Sequence, residues 1–524
     1  MEIILDIIDS TVEGQGIGKN EGRVYFIEGA VPGDRICVKN IHEKKRILYG
    51  ETAELLNENP DRTEPFCPYF EECDGCTLQN LEYQAQLDLK RNSVLNAVNR
   101  IGGENISDIE IIGMEEPAHY RNKIELKIEK GRIGYYSRKS HKLVDIESCP
   151  VALPVIDENI ALLQSVFDEV YEIPLKEGII RNITLRSNGE DLQITITTLT
   201  QDFLKRKELF KAMEKIEALA EIYHSVNKNP RKPGIRNPKL IFQRKEFIES
   251  IGSLNFRLSP ESFFQVNHYN TIKLYEEARS QMELQGDEKI LDLYCGIGTT
   301  SLYYAEKASH ATGVEVVSKA IENAKENARL NSIKNVDFIC GKSEEVIEKL
   351  LKEKEFDIIA VDPPRKGLDE KVVEVIGKSS IKKVQYISCN PSTMARDIKR
   401  LKEYGFELKK IKACDMFSQT MHVETCVLLS HKSADDFISV KMEYADDRKI
   451  QPDRITYRLI QEYIEEKYGF KVHTANIAEV KRNLGLPMYD APNAVEELKR
   501  PYKPAPEYKV EAIKDALRHF KVID

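Results

Sequence analysis

Cys389 follows the strand-like run Val384–Ser388 and precedes Asn390-Pro391, a helix-like segment from Ser392 to Asp397, and then His422-Val423-Glu424-Thr425. A thiol at a strand end, just before a helix, sits where unpaired helix amides favour the thiolate, the nucleophilic form. A carboxylate such as Glu424 can serve as general base beside such a nucleophile. Position alone suits a small packing cysteine equally well, because buried cysteines are common. A second set of thiols, Cys67-x5-Cys73-x2-Cys76 with Cys149 before Pro150, has the spacing of metal ligands. No signal peptide and no apolar run of membrane length is visible, so a reducing cytoplasm is expected. Clustered cysteines there point to metal rather than disulfides. Four thiolates suit either a zinc ion or an iron–sulfur cluster, and spacing alone leans slightly to zinc.

Positioning Cys389 requires a sheet, and the upstream residues supply one. Lys289–Asp292 reads as a buried strand running through Tyr294, Cys295, Gly296 and Gly298 into a helix. Glycines there admit a ligand close to the backbone, and the helix start offers free amides. Ser301 stands where the dinucleotide fingerprint has its third glycine, which disfavours a plain nicotinamide or flavin site. A second short strand, Ala311–Glu315, ends in a carboxylate about 20 residues on, the distance at which an acid reaches ribose hydroxyls. Strand, glycine turn, helix, strand and acid is the layout of an adenosine-ligand site, although an ordinary βαβ unit shares it. A third strand, Phe356–Val361, runs into Asp362-Pro363-Pro364-Arg365-Lys366-Gly367. The prolines make a rigid loop at the sheet edge where ligands of open α/β sheets bind. An aromatic after Asp-Pro-Pro would favour chemistry on an exocyclic amine; Arg365 stands there instead.

The ordered motifs Ser262-Phe-Phe-Gln265-Val-Asn267, Leu291-Asp-Leu-Tyr-Cys-Gly296, Asp362-Pro-Pro-Arg-Lys-Gly367, Ser388-Cys-Asn-Pro391 and His422-Val-Glu-Thr425 resemble those of the RNA uracil-5-methyltransferases. More narrowly they resemble the bacterial branch that modifies large-subunit (23S) ribosomal RNA, over roughly residues 1 to 435. The resemblance implies a class I methyltransferase using S-adenosylmethionine, with Cys389 adding to uracil carbon-6 and Glu424 removing the carbon-5 proton. It implies that Gln265, Tyr294, Glu315 and Asp362 contact the cofactor or organise the base pocket. The target base must be unstacked to reach the thiol. It also turns Cys67, Cys73, Cys76 and Cys149 from a zinc-like set into expected ligands of a closed [4Fe–4S] cluster, structural or RNA-positioning rather than redox-active. His422 fits a loop-shaping role at least as well as a proton-transfer role. Cys295, Cys340, Cys414 and Cys426 read as packing residues.

A chain of 524 residues, 41% hydrophobic, can bury several cores, so about three or four domains are expected. Residues 1–57, rich in short strands and glycine turns, resemble a TRAM-type OB β-barrel, with Lys39, Lys44, Lys45 and Arg46 available for phosphates. Residues 58–253 read as a central α/β domain carrying the cysteines. Residues 254–434 read as the doubly wound, mostly parallel methyltransferase sheet, and 435–524 as a helical extension without recognisable chemistry. Within the extension, Ile455–Gly485 reads as two helices compatible with a helix-turn-helix, and a proline-rich link from Pro501 to Pro506 leads to a last helix.

The net charge of −9 is awkward for an RNA binder, but local basic surfaces escape that sum. Two runs are candidates: Lys228, Arg231, Lys232, Arg236, Lys239, Arg244 and Lys245, and Arg121, Lys123, Lys127, Arg132, Arg138 and Lys139. A solvated face is the other reading of each. The expected partner is ribosomal RNA, with a transfer-RNA uracil-54 methyltransferase as the runner-up, and no membrane or obligate protein partner is indicated. A non-catalytic RNA-binding scaffold would have lost Cys389 or Glu424, and an iron–sulfur redox enzyme would have no use for the pair.

Overall fold

The first fifty-odd residues alternate inward apolar and outward polar side chains, and they close on themselves. In the computed structural model, which describes residues 3–11, 13–137, 140, 142–171, 179–229, 234–431, 457–486, 505–520 and 522–523, β1 (Ile3–Ser10), β2 (Gly16–Asn20), β3 (Arg23–Glu28), β4 (Arg35–Lys44) and β5 (Ile47–Asn57) form a closed barrel in the order β1-β2-β3-β5-β4. Leu5, Ile7, Ile27, Ile36 and Val38 fill it. Closure removes sheet edges, which a strand set this short could not otherwise protect.

The cysteine loop follows and runs directly into α1 (Tyr83–Arg100), then the short strand β6 (Glu110–Ile112). The central sheet uses β7 (Lys123–Glu129), β8 (Arg132–Tyr136), β9 (Leu143–Asp145), β10 (Ile180–Ser187), β11 (Leu192–Thr198), β12 (Leu219–Val226) and β13 (Lys239–Gln243). Their order is β13-β12-β11-β10-β7-β8-β9. Helices α2 (Pro154–Val170) and α3 (Arg206–Met213) cover one face through Ile156, Ile160, Leu163, Phe167, Leu209 and Met213. A hairpin of β14 (Ile248–Ile251) and β15 (Leu254–Arg257) precedes the next sheet.

That sheet alternates with helices: α4 (His268–Met282), β16 (Lys289–Leu293), α5 (Thr299–Ala305), β17 (His310–Glu315), α6 (Ser318–Leu330), β18 (Val336–Cys340), α7 (Ser343–Glu353), β19 (Ile358–Val361), α8 (Glu370–Lys378), β20 (Lys383–Ser388), α9 (Pro391–Lys402), β21 (Phe406–Cys414) and β22 (Glu424–His431). The strand order is β18-β17-β16-β19-β20-β22-β21-β6. The strands from β18 to β20 pair in parallel, while β22 lies antiparallel to both neighbours. Parallel strands buried on both faces are continuous apolar runs such as Ile358-Ile-Ala-Val361. The edge strand β6 and the packing helix α1 both come from before residue 253. A cut between central and methyltransferase parts at 253/254 therefore divides a single sheet.

Two bodies are distinct, residues 1–436 and 437–524. In the second, α10 (Tyr457–Tyr468), α11 (Thr474–Asn483) and α12 (Glu507–His519) share their own core of Ile460, Ile464, Ile477, Val480, Ile513 and Leu517. Ile455, Thr456 and the link from 501 to 504 lie outside the described residues, as do Arg138, Lys139, Arg231 and Lys232. Among the described residues no helix is long and apolar enough to cross a membrane.

Candidate active site

Antiparallel register brings Cys389 and Glu424 together. Strands β20 and β22 pair from Lys383↔Ser430 to Ser388↔Thr425, so continuing the ladder by one step sets Cys389 opposite Glu424. Thr425 Oγ1 donates to Ser388 O at 3.2 Å and fixes that step. Glu424 is buried, at 3% exposure, while Cys389 is half-buried at the mouth of the site. The Asp362–Gly367 loop closes over them from the end of β19. Asn390 Nδ2 and Thr393 Oγ1 both donate to Arg365 O, at 3.1 and 3.2 Å. Gly367, at φ +78°, leaves no room for a Cβ beside Arg396 and Asp397.

Burial dominates the electrostatics. It pushes the Cys389 thiol up to about 11, helped by the charges of Glu424 and Asp362 and opposed by Arg365. Burial and the charge of Asp362 likewise hold the Glu424 carboxyl well above the usual carboxylate range. Asp362 is raised by burial and by Asp292. The expectation that the α9 start favours the thiolate is therefore corrected. The side chain of Asn390, the helix N-cap, already accepts from the amides of Ser392 and Thr393, at 3.1 and 3.4 Å, so these donors are not left for the sulfur. The charge of Asp362 raises Glu424, and Arg365 is the cation that offsets it there.

This arrangement sets a pH dependence. Arg365 favours the charged forms of both Cys389 and Glu424, so Arg365→Gln is expected to move the rising limb of the pH–rate profile to higher pH. A limb that stayed in place or moved to lower pH would show that Arg365 does not act electrostatically.

The residues expected to meet the cofactor lie largely at β16 and β17. Asp292 accepts from Thr300 Oγ1 at 2.7 Å and Ser301 Oγ at 2.5 Å. Burial outweighs these bonds and pushes its carboxyl up to about 6. Ser301 thus has a positive role as a donor to Asp292, where the sequence showed only a missing glycine. Tyr294 is held in the left-handed region at φ +69°, a strained state for a bulky residue and typical of ligand-binding turns. Glu315 accepts from the amides of Gly296 at 3.3 Å and Val317 at 2.9 Å. A Cβ at Gly298 would meet the Phe338 ring at 2.8 Å. Gln265 is buried, held through its carbonyl by Asn122 Nδ2 at 3.0 Å, and its Oε1 has no partner among the described residues. A buried acceptor without a donor fits a ligand that brings one. Tyr294 just after β16, Glu315 at the end of β17 and Asp362 just after β19 share one sheet edge.

The four cysteines line one cleft of about 910 Å³, together with Arg121, Lys127, Arg365 and His422. Gly75 N donates to Cys73 Sγ at 3.3 Å, and Cys67 N to Gln79 Oε1 at 3.0 Å. Burial raises Cys76 to about 12 and Cys149 to about 11, and the thiols add to each other's shifts. Among the described residues no three His, Cys, Asp or Glu side chains gather tightly enough to hold one metal ion. His422 Nε2 lies 3.4 Å from Arg365, and burial lowers its pKa. Cys295, Cys414 and Cys426 are buried, but Cys340 is exposed at the end of β18 and does no packing. In the basic run before 245, Arg244 donates to the carbonyls of Glu214, Ile216 and Glu217, and Lys245 pairs with Asp191 at 2.6 Å. These two cations tie the fold together instead of standing free for RNA.

The comparisons with known proteins agree with this geometry. The family model of the tRNA (uracil-5-)-methyltransferases matches residues 82–432. An RNA methyltransferase of Clostridium tetani is 37% identical over 80% of this chain and 94% of its own length. Another, from Halalkalibacterium halodurans, is 35% identical over 80% of this chain and 94% of its own. Among solved structures, the Pyrococcus abyssi tRNA (uracil-54, C5)-methyltransferase in complex with S-adenosyl-L-homocysteine superposes with a TM-score of 0.67 and 28% identity, covering 82% of this chain and all of that one. The chain belongs to the tRNA (uracil-5-)-methyltransferase family, enzymes that methylate carbon-5 of uracil in RNA with S-adenosylmethionine.

Proposed function

We propose that this protein methylates carbon-5 of a uridine in 23S ribosomal RNA through a covalent adduct on Cys389. The observation that carries the chemistry is the β20–β22 register, which sets a thiol across from a buried carboxylate. Carbon-5 of uracil is a poor nucleophile. Addition of the Cys389 thiolate to carbon-6 makes the ring an enolate, and carbon-5 then takes the methyl group. Bound S-adenosylmethionine supplies that methyl. Gln265, Tyr294, Glu315 and Asp362 are the residues proposed to hold it or to shape the base pocket. Glu424 then takes the carbon-5 proton, the carbon–sulfur bond breaks, and Cys389 leaves as thiolate. Arg365 compensates the negative charge that this cycle places on Cys389 and Glu424.

Cys67, Cys73, Cys76 and Cys149 are proposed to hold a [4Fe–4S] cluster, which supplies a closed, structural centre in the cleft beside the active site. Convergence of four thiols on one cleft fits that group. Protein purified without oxygen should carry about four iron and four sulfide per chain; one zinc per chain with no iron would overturn the assignment.

Ribosomal RNA is favoured by the N-terminal barrel beside the cysteine site, the pairing that the ribosomal branch resembles. Transfer-RNA uracil-54 is a second reading, supported by the likeness to the Pyrococcus abyssi enzyme. Mapping 5-methyluridine in total RNA from cells with and without the gene separates them. Loss at a 23S position with transfer RNA intact is expected; loss only at transfer-RNA position 54 would overturn the ribosomal reading.

A further inference from the structure

The loop from Asp415 to Val423 links β21 to Glu424, and its anchors on α1 are buried or half-buried. Asp415 and Lys90 are both 0% exposed and pair at 2.5 Å. Tyr83 Oη donates to the other Asp415 oxygen at 2.7 Å, and Ser418 Oγ to the same oxygen at 2.8 Å. Gln86 Nε2 donates to Gln419 Oε1 at 2.9 Å, and Gln419 N to Gln86 Oε1 at 3.2 Å. Tyr83, Gln86 and Lys90 sit three and four residues apart on α1, so one helix face supplies three of the loop's anchors, alongside Tyr120, Asn267 and Asn270 from other elements.

Gln419 is the singular residue of this loop. It is a non-glycine at φ +68°, 3% exposed, a conformation that persists only where the surroundings over-determine it. Its carbonyl accepts from the amides of both Thr77 and Leu78, at 2.8 and 3.0 Å. Its Nε2 donates to Pro117 O at 3.1 Å. Thr77 and Leu78 directly follow Cys76. Gln419 thus joins the cysteine loop and α1 to the chain that delivers Glu424, beside the direct bonds of Gln86 Nε2 to Leu78 O and Leu81 O, both at 2.9 Å.

We propose that Gln419 is a positioning residue for Glu424, and that the cysteine loop acts on the reaction through it. The proposal rests on the reading of Glu424 as the base that removes the carbon-5 proton. Thiolate addition and methyl transfer use Cys389 and the β16–β17 edge, which the Gln419 contacts do not touch. Proton removal needs Glu424 in place. Loss of the Gln419 contacts therefore slows the second half of the reaction and spares the first, leaving the methylated base still bonded to Cys389.

Two variants test this. Gln419→Gly suits the left-handed backbone and removes the side-chain amide contacts while keeping the carbonyl, and Gln86→Met removes the two Gln419 bonds from the helix side at similar length, together with the Gln86 bonds to Leu78 O and Leu81 O. Each is incubated with S-adenosylmethionine and ribosomal RNA, and denaturing gels measure the protein–RNA adduct against released 5-methyluridine. The adduct-to-product ratio should rise by about 10- to 100-fold, the cost of misplacing a reacting group by about 1 Å. S-adenosylhomocysteine affinity should stay within about twofold of the parent, and hydrogen exchange at Thr77 and Leu78 should quicken. An unchanged ratio in both variants overturns the proposal, as does an equal loss of cofactor affinity and adduct, which marks a general structural role. Glu424→Gln run alongside separates the two levels: if it also fails to raise the ratio, the base assignment falls, and Gln419 with it.

Discussion

Cys389→Ala should abolish both turnover and adduct formation, with activity falling on the order of 10⁴-fold or more, as expected when a covalent route loses its nucleophile. No neighbour replaces the sulfur. Cys295, Cys414 and Cys426 are buried, and Cys340 is at the end of β18, four strands along the sheet from β20. RNA containing 5-fluorouridine makes the outcome visible, because fluorine at carbon-5 cannot leave as a proton and the covalent complex persists. The parent protein should give a protein–RNA band resistant to denaturation, and Cys389→Ala should give none. The variant should still bind S-adenosylhomocysteine, since the Asp292–Ser301 and Glu315–Gly296 bonds lie elsewhere on the sheet edge. A persistent adduct in Cys389→Ala would remove Cys389 from the mechanism.

Much of this site was legible because its parts are local in sequence. The strand–turn–helix around Asp292 and the Asp362–Gly367 corner each lie within about a dozen residues, where strand periodicity, glycine and proline carry positional meaning. The pairing of Cys389 with Glu424 needed the motif resemblance, since register between separated strands is set by packing. The direction of the Cys389 shift was misjudged because helix position was visible while burial and the capping role of Asn390 were not. The α1 contacts were invisible for the same reason. Lys90 and Asp415 are far apart in the chain, and a lysine in a helix reads as solvated until its partner is known. Arg244 and Lys245 illustrate the converse, a basic run that is partly spent inside the fold.

Glu424→Gln should keep methyl transfer and lose release. Glutamine preserves the shape of the buried side chain, so thiolate addition and attack on the methyl group remain geometrically possible, but an amide cannot accept the carbon-5 proton. The expected loss in turnover is about 10²- to 10⁴-fold, the usual contribution of a general base. With ordinary uridine-containing RNA, in which the parent enzyme turns over, the variant should accumulate methylated adduct on Cys389. The change also removes one of the charges that raise the thiol, because Glu424 is the leading electrostatic cause of its shift after burial. Cys389 in Glu424→Gln should therefore ionise at lower pH and alkylate faster with iodoacetamide near neutrality. Slow release and a more reactive thiol in the same variant would tie both effects to one carboxylate. Normal release would leave Asp362, the acid whose charge raises Glu424, as the base to test next.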